Sequence, residues 1–270
     1  MSGSSTSRPL RDLAELHRIL TLVLDLVDPA ASGFTYRLVG TAAALAQGVA
    51  LPAGDVDLLV RRREHVEHFA AALSAHRCLD PPAWLPAAGQ YFTHFVVDGI
   101  EVGASTVEHE SAVDTIECIG PGAWTHYVEL AVGPHVVPAV RLELRLVSEL
   151  VRNRPDRYEP LLDHLRAASS ARDPDPGAIR GCDATLRPAA DPLRGADSSR
   201  GAGPVRGANS PRGADPLRGA GLMRGVDSVV GAGPAIGVPP PFDLDLVDRA
   251  MRDRAVPPVL REHVLTRLGR

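Results

Sequence analysis

Apolar residues recur at helical spacing near the start of the chain. Leu13, Leu16, Leu20, Val23 and Val27 are three or four positions apart, which predicts an amphipathic helix. Further helices are predicted over residues 41–47, 64–75, 140–151 and 158–168. The first 170 residues therefore contain several helices with apolar faces to bury.

Short apolar runs between these helices predict β-strands. Residues 34–39 and 56–60 form the first two. Residues 91–97 and 100–105 flank Asp98-Gly99, a pair typical of a two-residue type I′ hairpin turn. Residues 124–132 and 135–138 predict a second hairpin. The predicted fold class is α/β (α+β), a mixed sheet flanked by helices.

A hexapeptide repeat interrupts this pattern after residue 170. Successive units begin Arg-Gly-Ala or Arg-Gly-Val, from Arg194 to Arg224, and much of the chain's 25 glycines and 24 prolines lies here. A period of six can indicate a parallel β-helix, whose turns need an inward aliphatic residue where this repeat has arginine. We therefore expect residues 171–241 to be a disordered, low-complexity linker.

The end of the chain regains helical spacing. Leu244, Val247 and Met251 form one apolar stripe, and a second follows Pro257-Pro258. Two helices this short cannot bury a core alone, so we expect them to dock on the main domain or on a partner. The predicted organisation is a domain over residues 1–170, a linker over 171–241 and a helical segment over 242–270.

The basic residues are all arginines, 29 in number, and there is no lysine. This excludes mechanisms that need a lysine, such as a Schiff base or a P-loop phosphate contact. Residues 1–170 hold 14 arginines and 21 acidic residues, and residues 171–270 hold 15 and 12. The predicted domain is therefore acidic, which argues against a general nucleic-acid binder.

Targeting and membrane signals are missing from the pattern. The longest apolar stretch, residues 19–27, contains Asp25 and is too short to span a bilayer. Cys78, Cys118 and Cys182 are too far apart to indicate a disulfide framework or a metal pair. We expect a soluble, cytoplasmic protein that does not bind membranes.

Two carboxylates begin the second predicted strand. Asp55 and Asp57 alternate with Val56 and Leu58, so both carboxylates lie on one face while Val56 points into the core. Two adjacent carboxylates repel each other unless a cation lies between them. Mg²⁺ commonly binds one or two carboxylates together with substrate phosphates, so this pair predicts a magnesium site.

An anion site is predicted beside the carboxylates. Gly40-Thr41 lies where a strand turns into a helix, so free backbone N–H groups favour an anion and glycine permits close approach. A third carboxylate would complete the metal site. Glu101, on the return strand of the hairpin, is the first candidate, and Glu108 is the alternative.

These residues resemble the signature of the nucleotidyltransferase superfamily that includes DNA polymerase β and the aminoglycoside nucleotidyltransferases. Val39-Gly40-Thr41 is followed by thirteen residues and then by Asp55-Val56-Asp57-Leu58. The resemblance implies that Asp55 and Asp57 hold two Mg²⁺ ions and that Glu101 shares one with an acceptor hydroxyl. It also implies that Gly40 and Thr41 bind the triphosphate.

A second block, residues 142–158, resembles the helix that follows the catalytic sheet in minimal nucleotidyltransferases. That helix carries a lysine, an arginine and an aspartate, and here Arg145, Arg152 and Asp156 stand in those places. Arg145 and Arg152 are about two helical turns apart, so they share a face and can bind one phosphate chain. The alternative is a solvated face on which Glu149 pairs with Arg145.

The expected function is metal-dependent transfer of a nucleoside monophosphate group from a triphosphate to a hydroxyl. The acceptor is a small molecule or a macromolecule, and ATP is one candidate donor. Two alternatives stay open: a catalytically inactive nucleotide-binding module, and a toxin–antitoxin type enzyme that modifies tRNA or protein. Nucleic acid is the less favoured partner because residues 1–170 are acidic.

Overall fold

The computed structural model describes residues 7–108, 115–118, 126–170 and 241–270. Within these ranges seven strands form one mixed sheet, in the order β3-β4-β5-β2-β1-β7-β6. The strands are β1 (Tyr36–Val39), β2 (Asp55–Val60), β3 (Arg77–Leu85), β4 (Gln90–Val97), β5 (Ile100–Thr106), β6 (Tyr127–Val132) and β7 (His135–Val140). The predicted fold class is confirmed.

Most of the helices follow the apolar spacing, with boundaries that shift by a few residues, whereas the two four-residue helices, 29–32 and 115–118, were not predicted. They are α1 (Leu13–Val27), α2 (Pro29–Ser32), α3 (Gly40–Ala46), α4 (Arg63–Ala72), α5 (Thr115–Cys118), α6 (Leu142–Val151), α7 (Pro155–Ser170), α8 (Leu244–Asp253) and α9 (Pro258–Arg267). Helix α7 begins three residues before its predicted start. Pro155 suits its first turn, because the missing N–H would have no helical partner there.

Strand β2 is central to the sheet and to the candidate site. It runs antiparallel to β1 and parallel to β5. Val56, Leu58 and Val60 are fully buried, and helix α4 packs on this strand and on β3, β4 and β5. Alternation along the strand therefore directs Asp55 and Asp57 to the other face.

The turn between β4 and β5 has the predicted conformation. Asp98 and Gly99 both have positive φ angles, 51° and 83°, as a type I′ turn requires. The N-terminal segment contacts this turn, because the Arg8 N–H donates to the Gly99 carbonyl at 2.9 Å. The local sequence signal therefore fixes the register of β4 against β5.

Strand β3 was not predicted. It contains Pro81 and Pro82, and its register against β4 shifts between Cys78 and Asp80 and again between Asp80 and Ala83. A proline cannot donate to a ladder, so it is tolerated at an edge strand with such irregularities. The second predicted hairpin is present as β6 and β7 but begins at Tyr127, and Trp124 lies outside the described residues.

The C-terminal helices belong to the same compact unit as the sheet. Helix α8 packs against α6 and buries Leu246, Val247 and Met251, while α9 contacts α7. The linker predicted over residues 171–241 lies outside the described residues except for Pro241. In the described ranges, no helix combines the length and apolar character needed to cross a membrane.

Candidate functional site

The two carboxylates of β2 lie beside the turn between β1 and α3. Asp57 pairs with Val39 in the sheet, and Val39 is the residue directly before the turn. A Cβ atom at residue 40 would lie 3.2 Å from Asp57 Oδ2. The structure therefore brings together Gly40 and Asp57, which are seventeen positions apart in the sequence.

Glycine is required at position 40 for two reasons. Its φ is +70°, a conformation that costs an L-residue about 1–2 kcal/mol. The close carboxylate of Asp57 also leaves little room for a side chain. Gly40 is the first residue of α3, and Thr41 follows it with its side chain buried. The N–H groups of the first turn of α3 have no partner within the helix, which suits an anion near Asp57, and that of Gly40 is bonded to a carboxylate described below.

A polar cavity of about 210 Å³ opens at this turn. Its walls combine the predicted carboxylates and turn with arginines from the end of α6 and the start of α7. The lining includes Gly40, Thr41, Asp55, Asp57, Glu117, Arg145, Arg152, Arg154 and Arg157. Arg154 and Arg157 were not predicted, because they reach the cavity through the turn at Asn153, whose φ is +51°.

Arg145 lies at the floor of this cavity and is almost fully buried, with 3% of its side chain exposed. It forms ion pairs with Glu117 and with Glu149, so the predicted pairing with Glu149 is present. The alternative of a solvated helix face is wrong, because α6 is buried nearly along its length. Burial opposes the charge on Arg145, but the attraction of Glu117 and Glu149 outweighs it and raises the pKa of Arg145.

Three arginines surround the two buried carboxylates, because Arg152 and Arg154 also lie 3.7 and 3.9 Å from the Glu149 carboxylate. Arg145 carries one positive charge between two carboxylates, and Arg145 Nε and Glu149 Oε2 have no hydrogen-bond partner within the described residues. Arg152, at the C-terminal end of α6, lies 3.7 Å from Glu149 Oε1 and is partly exposed. Arg152 therefore joins the buried cluster to the open part of the cavity.

Glu117 is a further residue of this site that the sequence did not identify. The Gly40 N–H donates to Glu117 Oε2 at 3.2 Å, and Arg145 donates to Glu117 Oε1. Glu117 is 1% exposed. It lies on the four-residue helix α5, which is too short to show a periodic pattern, so only the folded chain reveals its position.

The two candidates for a third carboxylate have different positions. Glu101 pairs with Asp55 across β2 and β5, so it shares the face of the carboxylate pair, and Ser7 Oγ donates to it at 3.3 Å. Glu108 follows the other end of β5, where Arg63 and Thr106 donate to it. The hydrogen bonds from Arg63 lower the pKa of Glu108. The structure therefore brings Glu101, and not Glu108, next to Asp55.

A magnesium ion fits the donor set that Asp55 and Asp57 offer. Both are hard oxygen ligands on one face of a strand, and Mg²⁺ needs only one or two carboxylates when substrate phosphates complete its coordination. In the described ranges, no group of three or more His, Cys, Asp or Glu residues is arranged to hold a metal ion. The pair therefore suits an ion delivered with an anionic substrate.

The chain has distant structural similarity to proteins of known structure. No protein-family model matches the chain, and no curated protein matches it. The chain is similar to a crystal structure from Thermotoga maritima provisionally named a nucleotidyltransferase, at 15% identity and a TM-score of 0.36, covering 56% of this chain and 94% of that one.

Two further solved structures are similar at the same level. An antigenic nucleotidyltransferase-like protein from Paracoccidioides brasiliensis is 12% identical, with a TM-score of 0.38, covering 58% of this chain and 78% of that one. A protein from H. pylori, also provisionally named a nucleotidyltransferase, is 11% identical, with a TM-score of 0.35, covering 60% and 70%. Similarities this low give no information about the reaction. Any inference about chemistry therefore comes from the geometry of the cavity.

Proposed function

We propose that this protein transfers a nucleoside monophosphate group from a nucleoside triphosphate to a hydroxyl of an acceptor. The observation behind the proposal is the closeness of the Gly40 turn to Asp57, whose Oδ2 would lie 3.2 Å from a Cβ atom at residue 40. The backbone N–H groups of such a turn suit a phosphate, once it has replaced Glu117 at the Gly40 N–H, and a carboxylate suits a divalent cation. A metal-bound triphosphate needs both groups, and needs them adjacent.

The charges of the cavity support a polyphosphate substrate. Arg152, Arg154 and Arg157 line one wall, and their guanidinium groups can form paired hydrogen bonds with phosphate oxygens. The chain has no lysine, so arginines supply the positive charge of this cavity. Asp55 and Asp57, which line the same cavity, would repel a bare triphosphate, so the substrate would bind with its cation.

Magnesium, two ions by the family resemblance, would be held by Asp55 and Asp57. When bound, it would lower the pKa of the acceptor hydroxyl and stabilise the leaving pyrophosphate. Glu101 shares the face of Asp55 and would approach the acceptor side of the same site. Gly40 and Thr41 would orient the phosphates, and the arginines would neutralise charge on the leaving group.

The experiment that tests this proposal also identifies the acceptor. The full chain is incubated with Mg²⁺, a cleared cell lysate and each nucleoside triphosphate labelled at the α-phosphate. We expect label to move to RNA, protein or a small molecule in the wild type and not in Asp55→Asn. Absence of transfer by the wild type in every fraction would contradict the proposal.

A second function, nucleotide binding without chemistry, is favoured by one observation. The described residues contain no cluster of three metal ligands around Asp55 and Asp57. A binding module of this kind would bind nucleoside triphosphates, and Asp55→Asn would weaken that binding. It would release no pyrophosphate with any acceptor, which separates it from the enzyme.

A further inference from the structure

A second cavity, of about 380 Å³, lies apart from the polar cavity that Asp57 lines. It opens beside β6 and is bordered by helices α1, α3, α6 and α7, and the described residues that line it are all different from those of the polar cavity. Ala46 near the end of α3 and Leu142 at the start of α6 line it, whereas the polar cavity is lined from the start of α3 and the end of α6. The second cavity is therefore a separate site, which the proposed nucleotidyl transfer does not use.

Most of the wall of the second cavity is apolar. The apolar lining includes Leu13, Ala46, Leu142, Leu165 and Phe242. Small-molecule sites in proteins are commonly cavities of about 300–1,000 Å³ with such a lining and a few polar groups. The size and lining of this cavity therefore suit a small ligand with an apolar body.

Two hydrogen bonds fix the segment that carries Phe242 at the edge of this cavity. Arg141 donates to the Pro241 carbonyl at 2.8 Å, and the Asp243 N–H donates to Glu143 Oε1 at 3.0 Å. Arg141 and Glu143 also form an ion pair with each other, so together they add no net charge to the cavity that they line. This part of the wall is therefore held by contacts within the chain.

Gln47, which also lines the cavity, has an acceptor that no described residue uses. Its Nε2 donates to the carbonyls of Ala43 and Val140, at 2.9 and 2.8 Å, so both amide hydrogens are occupied. Its Oε1 accepts no hydrogen bond from the residues that the structure describes. The side-chain amide is thus held in position with its oxygen available to an N–H or O–H of a ligand.

The charge of the cavity favours a cation. Glu129 on β6 lines it and is half-buried, and within the described ranges this carboxylate forms no ion pair. Two histidines, His17 and His164, line the cavity as well, and burial lowers the pKa of His164, which keeps that imidazole neutral near pH 7. An ion pair with a partly buried carboxylate is stronger than the same pair in bulk water.

We propose that this cavity binds a small apolar amine, a molecule with an aliphatic or aromatic body and a protonated amino group. The body packs against Leu142, Leu165 and Phe242, and the ammonium group pairs with the Glu129 carboxylate. Gln47 Oε1 accepts a further N–H of the ligand. Burial of the body supplies affinity, and the carboxylate selects a cation over a neutral or anionic molecule of the same shape.

The first test compares ligands of similar shape and different charge. The full chain is titrated by calorimetry with phenethylamine, phenethyl alcohol and hydrocinnamate, at about pH 8, where histidine is ordinarily neutral. We expect phenethylamine to bind at one site about tenfold more tightly than the alcohol, because hydrogen bonds to charged groups are stronger than those between neutral groups. Hydrocinnamate, an anion, should not bind. Hexylamine, with an aliphatic body, should bind as phenethylamine does.

The second test locates the site with two matched pairs of variants. Ala168→Trp fills a lining position of α7, and Ala167→Trp adds the same side chain at the exposed neighbouring position, which does not line the cavity. Glu129→Gln removes the carboxylate charge, and Glu262→Gln is the same change at an exposed position on α9. Each lining variant should weaken phenethylamine binding by about tenfold or more, and each control should stay within about twofold.

Thermal unfolding of the four variants establishes that the fold is retained. Three results would overturn the inference. The first is that neither phenethylamine nor hexylamine binds, and the second is that phenethyl alcohol or hydrocinnamate binds as tightly as the amine. The third is amine binding that both Ala168→Trp and Glu129→Gln leave unchanged, which would place the ligand elsewhere. These titrations need no nucleotide, so their failure is distinct from a failure of the proposed nucleotidyl transfer.

Discussion

Gly40 and Glu117 are joined by a hydrogen bond of 3.2 Å from the backbone N–H of the first to the carboxylate of the second. The same carboxylate is paired with Arg145, whose side chain is buried. Glu117 therefore presents to these two groups the kind of negatively charged oxygen that a phosphate would present. A nucleotide phosphate that reaches Gly40 has to replace this carboxylate.

Neutralising Glu117 should strengthen nucleotide binding. In Glu117→Gln the competing charge is gone while an amide oxygen can still accept from Arg145, so we expect affinity for a nucleoside triphosphate with Mg²⁺ to rise about tenfold. Calorimetry gives the dissociation constants. Glu64→Gln, an exposed change of the same charge on α4, is the control and should leave affinity unchanged. Weaker binding in Glu117→Gln would mean that Glu117 serves the site by holding Arg145.

A side chain at position 40 should destabilise the turn between β1 and α3 and prevent nucleotide binding there. Gly40→Ala adds a Cβ 3.2 Å from Asp57 Oδ2 at a φ of +70°, so we expect a loss of about 1–2 kcal/mol in unfolding free energy together with loss of nucleotide binding. Gly33→Ala is a matched control, because its φ is +67° and no atom lies within 4 Å of the added Cβ. It should lose similar stability and keep nucleotide binding. Equal loss of nucleotide binding in both variants would contradict a role for the Gly40 turn in binding the nucleotide.

Removing the buried cation should destabilise the domain strongly. Arg145→Met leaves Glu117 and Glu149 buried without their shared partner, and we expect the unfolding free energy to fall by about 3–5 kcal/mol. Arg154→Gln is the control. Arg154 is half exposed and 3.9 Å from Glu149, so its loss should cost less than about 1 kcal/mol. Chemical denaturation measures both free energies of unfolding. Similar losses in Arg145→Met and Arg154→Gln would argue against a buried ion-pair cluster around Arg145.

Stability should increase with pH on the acidic side of neutrality. Burial lowers the pKa of His65, His126 and His164 in the folded chain, while the unfolded value stays at about 6.5. The unfolded chain then binds more protons between the lowered values and pH 6.5, so unfolding free energy rises with pH through that window and levels off above it.

A substitution at His126 isolates one contribution to this slope. His126 has a φ of +59°, which asparagine tolerates, so His126→Asn removes the titrating ring with little backbone strain. The slope of unfolding free energy between about pH 5 and pH 6.5 should decrease in this variant. An unchanged slope would mean that His126 makes no contribution.

The sequence predicts the parts of the site that depend on local pattern. The alternation of Asp55 and Asp57 and the glycine at a strand-to-helix turn are features of neighbouring residues, and the structure has both. The Asp98-Gly99 turn is also a local signal and sets the register of β5 against β4, but the pairing of Glu101 with Asp55 depends on the non-local pairing of β5 with β2. Whether these residues carry the chemistry remains a prediction.

Other features depend on contacts that no local pattern encodes. Glu117 meets Gly40 across 77 positions, from a helix too short to be periodic. Strand β3 has two prolines and an irregular register, which hide its alternation and with it the position of Asp80. The positions of its side chains relative to the sheet become visible only once β3 is paired with β4.

Release of pyrophosphate from a nucleoside triphosphate, with Mg²⁺ and a cleared lysate as acceptor source, shows whether the cavity beside Asp57 carries out nucleotidyl transfer. Asp57→Asn is compared with the wild type, and Asp25→Asn, a change of the same charge at an exposed position on α1, is the control. We predict Mg²⁺-dependent release by the wild type and by Asp25→Asn, and none above background by Asp57→Asn. Equal release by Asp57→Asn and the wild type, or no release by the wild type, would contradict the assignment.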